Sequence, residues 1–235
     1  MRLDKFLQAN LDMKKPDRKR LFNQGKLLVD GQAAKSLRQN IDSQLQEIKV
    51  DGQIIKDKAQ VYYMMHKPSG VITAVTDAEK TTVLDLVEDQ DRVQGLYPIG
   101  RLDRFTSGLL LLTNNGPLGL RMLHPDHHVA KTYQVQVKEP LAEWMVAAFK
   151  EGITIDQDIL LKPAELQILS DHQAQVTVSE GKYHQVKKMF LSVGLKVEEL
   201  KRLTFGPFQL DECLEPGQYR RLNREELTFI KSYLD

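Results

Sequence analysis

The sequence predicts an α+β protein: a small basic unit of helices and short strands, then a larger domain built on a mostly antiparallel sheet flanked by helices. Three observations carry this expectation. Segments with period-two alternation outnumber those with helical period, and Gly, Asn and Asp turn signals separate them at hairpin spacing. Charge is divided along the chain, with 13 Lys and Arg against 8 Asp and Glu in residues 1–58, and 20 against 24 in the remainder. A hydrophobic content of 41% in 235 residues provides a core for one large domain or two unequal ones.

The elements follow in order. "RLDKFLQANL" places Leu3, Phe6, Leu7 and Leu11 on one helical stripe, with Asp4 as a favourable first-turn acid. Pro16 and Asp17 open a second short helix that Gly25 closes. "KLLVDGQ" and "EIKVDGQII" each read as a strand entering an Asp-Gly turn. Two helices and two or three strands make a module of roughly 55 residues, a size that folds alone, and "KDKAQ" reads as a connector. "VYYMMHKPSGVITAV" then predicts a strand, a Pro-Ser-Gly turn and a second strand. Gly100 and the Thr106–Gly108 triplet flank Asp103 with turn residues, and "LLLLT" is a buried strand ended by an Asn-Asn-Gly turn.

Further on, "KTYQVQV" alternates, with Lys131, Tyr133, Val135 and Val137 on one face. "LAEWMVAAFKEG" is a helix ending at Gly152, and "QAQVTVSEG" is another alternating strand. "KYHQVKKMFLSVG" forms a helix capped by Gly194. It buries Val186, Met189, Phe190 and Val193 and displays His184, Lys187 and Lys188. Asn223 and Glu226 have the spacing of a capping box ahead of the last helix.

Several function classes drop out. A lone cysteine, Cys213, excludes an internal disulfide and fits a reducing compartment. With neither a membrane-length apolar run nor a signal-like N-terminus, the expectation is a cytoplasmic protein without membrane contact. Glycine-rich phosphate loops, nucleophile elbows and H-E-x-x-H are all missing. His124, His127 and His128 in "HPDHH" match no zinc spacing and read as a surface loop, so neither metal nor cofactor is expected. The basic front end suits a polyanion, or is simply a solvated helix face.

The string Arg-Leu-Asp-basic-Phe occurs twice, at residues 2–6 and 101–105. The first copy lies on an amphipathic helix and the second on a loop feeding a buried strand, so the two are not repeats of one unit. In that loop Asp103 could serve as nucleophile or base, or could be a turn aspartate bonding its own backbone. Spacing alone leaves both readings open.

Read together, "HKPSGVITA", "GRLDRFTSGLLLLTNNG", "KTYQV", "EGKYHQVKKMF", "LKRLTFGPFQL" and "LEPGQYRRL" resemble, in that order, the blocks of pseudouridine synthases, closest to the RsuA-type branch. "RLDKFL…GKLLVDGQ" resembles the S4 RNA-binding module often placed before that catalytic domain. The resemblance implies an S4-like domain over 1–58 and a catalytic domain over 59–235. It implies Asp103 as the catalytic carboxylate, Tyr133 as the base-stacking residue and Lys187 as the basic residue accompanying the aspartate. Many relatives carry arginine at that last place. Arg101 and Lys131 join the implied substrate contacts, and Arg2, Lys5, Arg18, Lys19 and Lys35 the implied RNA contacts of the S4 part. There, Pro16-Asp17-Arg18 stands where relatives usually have Ser-Arg.

The implied reaction is isomerisation of uridine to pseudouridine in ribosomal RNA, without a cofactor. The partner is ribosomal RNA or a small-subunit assembly particle, and the protein is expected to be a monomer. "HHVAKTYQV" and "LLKPAEL" look most like the small-subunit enzymes, whose target is uridine 516 of 16S rRNA. The alternatives are a large-subunit uridine, or a non-catalytic RNA-binding assembly factor on the same fold.

Overall fold

The computed structural model describes residues 1–56, 60–124 and 129–234, so most of the expected connector and most of the His-rich loop lie outside the described residues. The first 56 residues have a core of their own. Helices α1 (Leu3–Leu11) and α2 (Lys15–Asn23) bury Leu3, Phe6, Leu7 and Leu21 against Leu27, Val29, Ile48 and Val50 of a small sheet. That sheet has four strands where two or three were expected: β1 (Leu27–Val29), β2 (Gln32–Ala33), β3 (Ile48–Val50) and β4 (Gln53–Ile54), in the order β2-β1-β3-β4. Both Asp-Gly turns form with positive φ at both residues, 49° and 79° at Asp30-Gly31 and 48° and 85° at Asp51-Gly52. This twist matches that of the flanking strands.

The larger part is organised by one eight-stranded sheet. Its strands are β5 (Tyr62–Lys67), β6 (Tyr97–Ile99), β7 (Thr106–Thr113), β8 (Lys131–Val137), β11 (Glu165–Ser170), β12 (Gln173–Val178), β13 (Val197–Arg202) and β16 (Tyr219–Arg221). The order is β11-β12-β8-β13-β7-β5-β16, with β6 also on β7. Every pairing is antiparallel except β13–β7. The sheet thus consists of two antiparallel halves joined along one parallel seam, as the mostly antiparallel expectation requires. Two short hairpins lie off it, β9 (Thr154–Ile155) with β10 (Ile159–Leu160) and β14 (Thr204–Phe205) with β15 (Phe208–Gln209).

Alternation decides what each half covers. On β5 and β7, Tyr62, Met64, Leu109 and Leu111 enter one core with Ile230 of α6 (Arg224–Ser232) and Met122 of α3 (Gly116–Leu123). Tyr63, Met65, Leu110 and Leu112 enter a second core on the opposite face, under residues 83–96. On the other half, Val135, Ala174, Val176 and Leu200 pack beneath α4 (Trp144–Glu151) and α5 (Gln185–Ser192). The Asn223–Glu226 capping box forms as expected at the start of α6.

Three local expectations need correction. Residues 71–75 do not make a second strand; Ile72 keeps one isolated bridge to Thr82, and this segment bonds the Asp103 loop instead. Thr106–Gly108 is not a turn but the start of β7. There Gly108, at φ 107°, leaves room for the backbone of Arg202, because a Cβ would lie 2.2 Å from the Arg202 carbonyl oxygen. The Asn-Asn-Gly turn runs directly into α3, a helix that "GPLGLRML" conceals behind a proline and two glycines.

The N-terminal unit is tied to the sheet by buried polar contacts. Tyr62 Oη donates to Asp42 Oδ2 at 2.6 Å and accepts from Asn115 Nδ2 at 3.1 Å. Burial and the Asp42 carboxylate push the Tyr62 hydroxyl above the usual phenol range. Lys231 and Asp30 add an ion pair at 3.0 Å.

Candidate active site

The two Arg-Leu-Asp strings have different fates. In the first, Arg2 grips Asp4 through Nε at 3.1 Å and Nη2 at 2.6 Å, so that carboxylate is neutralised by its own neighbour. In the second, Arg101 is exposed, and Asp103, about one-third exposed, lies 3.6 Å from His184 Nε2, a contact that is an ion pair when the imidazole carries its second proton. His184 stands at the head of α5 with left-handed backbone, φ 53°, and its ring stacks on Tyr183 at 3.9 Å.

Long-range bonds fix the loop that carries Asp103. Thr73 Oγ1 donates to the Leu102 carbonyl at 2.7 Å and accepts from the Leu102 amide at 3.1 Å. Arg104 and Gly70 exchange two further bonds, Arg104 Nε to the Gly70 carbonyl and the Gly70 amide to the Arg104 carbonyl. Lys67, wholly buried at the end of β5, donates to the carbonyls of Pro68, Arg104 and Thr106 at 3.0, 3.1 and 2.9 Å. A cation with three backbone acceptors thus staples both sides of Asp103 to β5.

Burial pushes Lys67 down from 10.5 to about 8, while Asp103 pulls it up and Lys187 pushes it further down. Between those two pH values the unfolded chain keeps the proton on Lys67 and the folded chain releases it, so this group makes stability rise with pH there. Relative to Lys67→Met, the unfolding free energy of the wild type should increase by roughly 2–3 kcal/mol from pH 8 to pH 10.5 in paired urea titrations. A pH-independent difference between the two proteins would remove the linkage.

Asp103 opens onto a cavity of about 810 Å³, whose lining includes Arg101, Thr106, Lys131, Tyr133, His184, Leu200, Arg202 and Phe205. That volume suits a nucleotide-sized ligand. Of the expected site residues, Asp103, Arg101, Lys131 and Tyr133 converge here. Lys131 Nζ donates to the Val129 carbonyl at 2.6 Å; burial lowers its pKa, Arg202 lowers it further, and Glu180 opposes both. Lys187 does not line the cavity and makes no ion pair with Asp103 among the described residues; it acts on the nearby Lys67. The basic side chain nearest Asp103 among the described residues' ion contacts is His184, at 3.6 Å. Sequence reasoning assigned no role to Lys67 or Arg202. A signal for Arg202 was present, since it shares the strand face of buried Leu200, where a charge is out of register with the pattern.

In the N-terminal unit, Lys5, Lys19 and Lys35 are exposed. Arg18 is partly committed to joining the two helices, bonding the Asp4 carbonyl at 3.2 Å and Gln8 Oε1 at 3.3 Å. Arg2 is held by Asp4. His124 is exposed at the cavity rim, while His127 and His128 lie outside the described residues; the described residues contain no cluster able to hold a metal ion.

Residues 61–192 match the family model described as RNA pseudouridylate synthase. The chain belongs to that family. A crystal structure of a pseudouridylate synthase superposes with a TM-score of 0.69 at 34% identity, covering 98% of this chain and 99% of the other. Ribosomal small subunit pseudouridine synthase A of Vibrio cholerae is 38% identical over 98% of this chain and 99% of its own. The protein of the same name from Escherichia coli is 34% identical over 98% and 100%. An uncharacterized RNA pseudouridine synthase of Bacillus subtilis, YtzG, is 38% identical over 98% of both chains. This chain is therefore an isomerase, an RNA pseudouridine synthase of the RsuA type. No helix among its described residues is long and apolar enough to cross a membrane.

Proposed function

We propose that this pseudouridine synthase uses Asp103 to isomerise one ribosomal uridine, uridine 516 of 16S rRNA, with residues 1–58 acting as an S4-like RNA-binding domain and residues 59–235 as the catalytic domain. The observation that carries this reading is the placement of Asp103 on a loop stapled from three directions, at a cavity that also contains Tyr133. The reaction breaks the N1–C1′ bond, turns the detached uracil and rejoins it through C5. A carboxylate at the cavity can attack the sugar or the base, or stabilise the charge that develops. The target nucleotide leaves its stack at a cost of a few kcal/mol. Stacking on Tyr133 returns about 1–3 kcal/mol. His184 Nε2 lies 3.6 Å from the Asp103 carboxylate, at the rim where substrate would enter.

Affinity in this reading comes from phosphate contacts of the N-terminal unit, with the protein acting as a cytoplasmic monomer on ribosomal RNA or a small-subunit particle. Replacing exposed Lys5 or Lys19 by Ala should weaken binding and make the log–log salt dependence shallower by about one unit each, with kcat unchanged. Filter binding across a salt series checks this; an unchanged slope places the RNA elsewhere.

The target is tested on ribosomal RNA from cells lacking the protein, complemented with wild type or Asp103→Asn. Pseudouridine is mapped across both subunits by carbodiimide modification and primer extension. Loss of the signal at uridine 516, restored by wild type alone, is expected. A change at a large-subunit position keeps the chemistry and moves the target. No change anywhere, together with inactivity of the purified protein on assembly particles, favours a non-catalytic binding factor.

A further inference from the structure

The cavity wall contains a buried cation that the scheme above leaves unused. Arg202, at the end of β13, is only 2% exposed. Its Nε donates to the Leu109 carbonyl at 2.8 Å, but its buried Nη2 has no hydrogen-bond partner. No carboxylate among the described residues forms an ion pair with it. What it does face is aromatic, with the guanidinium carbon 5.2 Å from the centre of the Phe205 ring, on which Lys131 Nζ also lies at 5.7 Å. A buried cation without a counter-charge is costly to maintain. Arginine cannot relieve that cost by losing its proton.

Its position is specific. Arg202 pairs with Tyr133 across β8 and with Gly108 across β7, where the missing Cβ lets the strands close. It therefore stands on the parallel seam, beside the candidate stacking residue and against the strand that Asp103 leads into. Thr106, two residues before Gly108 and also lining the cavity, has a buried hydroxyl without a partner. Two unsatisfied polar atoms in one cavity wall indicate a polar ligand.

We propose that Arg202 is the electrostatic counterpart of Asp103, stabilising the negative charge on the uracil ring while it is detached from the sugar. The proposal rests on the reading that Asp103 and this cavity perform the isomerisation. When the N1–C1′ bond breaks, its electron pair leaves with N1 and spreads onto O2 and O4, while C1′ is left electron-poor. Asp103 meets the electron-poor centre and Arg202 the electron-rich ring. The C5–C1′ bond then forms from the ring's electrons, the C5 proton departs, and N1 takes up a proton, so atoms and charge balance with no co-reactant. A fixed cation in a partly desolvated wall needs no reorganisation as that charge appears.

The test uses the full-length protein with Arg202→Met, which removes the charge at similar volume, and Arg202→Lys, which keeps it. The probes are uracil, neutral at pH 7, and 5-nitrouracil, largely ionised there, with affinities measured by calorimetry. Wild type should favour the anion at least about tenfold, Arg202→Met should bind the two alike, and Arg202→Lys should retain most of the preference. Single-turnover pseudouridine formation should fall about 100-fold in Arg202→Met with KM for RNA within about twofold of wild type, and Arg202→Lys should recover about tenfold. A folded Arg202→Met with wild-type turnover overturns the proposal, as does an equal loss of affinity for both probes, which marks a packing role. If instead Arg202→Met loses affinity for inorganic phosphate and keeps its preference for 5-nitrouracil, the residue holds the RNA backbone and the proposal fails. Should wild type make no pseudouridine on any ribosomal substrate, the catalytic reading fails separately, while the preference for the anionic probe still reports on Arg202.

Discussion

Asp103→Asn should give a folded protein that binds ribosomal RNA as tightly as wild type and forms pseudouridine at least about 10⁴-fold more slowly. The side chain makes no hydrogen bond that holds the loop among the described residues: it is about one-third exposed, His184 Nε2 approaches it at 3.6 Å, and its one long-range effect is to favour the charged form of buried Lys67. The bond that closes its turn uses the Asp103 backbone carbonyl, which accepts from the Thr106 amide at 3.0 Å and is unaffected by the change. Asparagine keeps the shape and loses the negative charge, so only steps that need a carboxylate suffer. Rapid-quench assays read the rate, and circular dichroism with filter binding confirms fold and affinity. Turnover within tenfold of wild type would remove Asp103 from the chemistry.

Gly108→Ala carries the largest expected effect on stability. A Cβ at this position would lie 2.2 Å from the carbonyl oxygen and 2.5 Å from the amide nitrogen of Arg202, and φ is 107°, where an L side chain is strained. Both obstacles are backbone, so no rotamer change relieves them, and β7 must part from β13 at the only parallel strand pairing among the described residues. The cost should be about 4 kcal/mol or more. In a chain of this size that lowers Tm by roughly 10 °C or more. Because the displaced partner is Arg202, activity below the new Tm should fall as well. Differential scanning calorimetry measures the shift, and a loss under about 3 °C would mean that the seam can open without penalty.

What the sequence disclosed and what it concealed divide by range. Asp30-Gly31, Asp51-Gly52 and the Asn223–Glu226 box were legible because their physics is complete within a few residues. Residues 71–75 misled because their hydrogen-bond partners lie outside any hairpin, Leu102 for Thr73 and Thr81 and Val83 for Ile72. Gly108 read as a turn residue, although its reason lies in a strand nearly a hundred residues later. Lys67 and Arg202 were hidden likewise, since carbonyls from distant segments satisfy the first and none fully satisfies the second. Asp103, Tyr133, Arg101 and Lys131 were named through the family resemblance, and the fold brings them to one cavity. Lys187 stands outside the cavity lining, near Lys67, which also feels the charge of Asp103.

The single parallel seam also orders events in time. Each half of the sheet can zip from hairpins and neighbouring strands, but Ser107 and Leu200, which meet across the seam, are 93 positions apart in the chain. Closing so long a loop is entropically late. Asp103 enters one side of that seam and Arg202 ends the other, so the cavity exists only once the final long-range pairing is made. On a translating ribosome, the nascent chain would acquire its N-terminal unit long before it acquires a pocket. Catalytic competence would then be a late report that the whole polypeptide has reached its native topology.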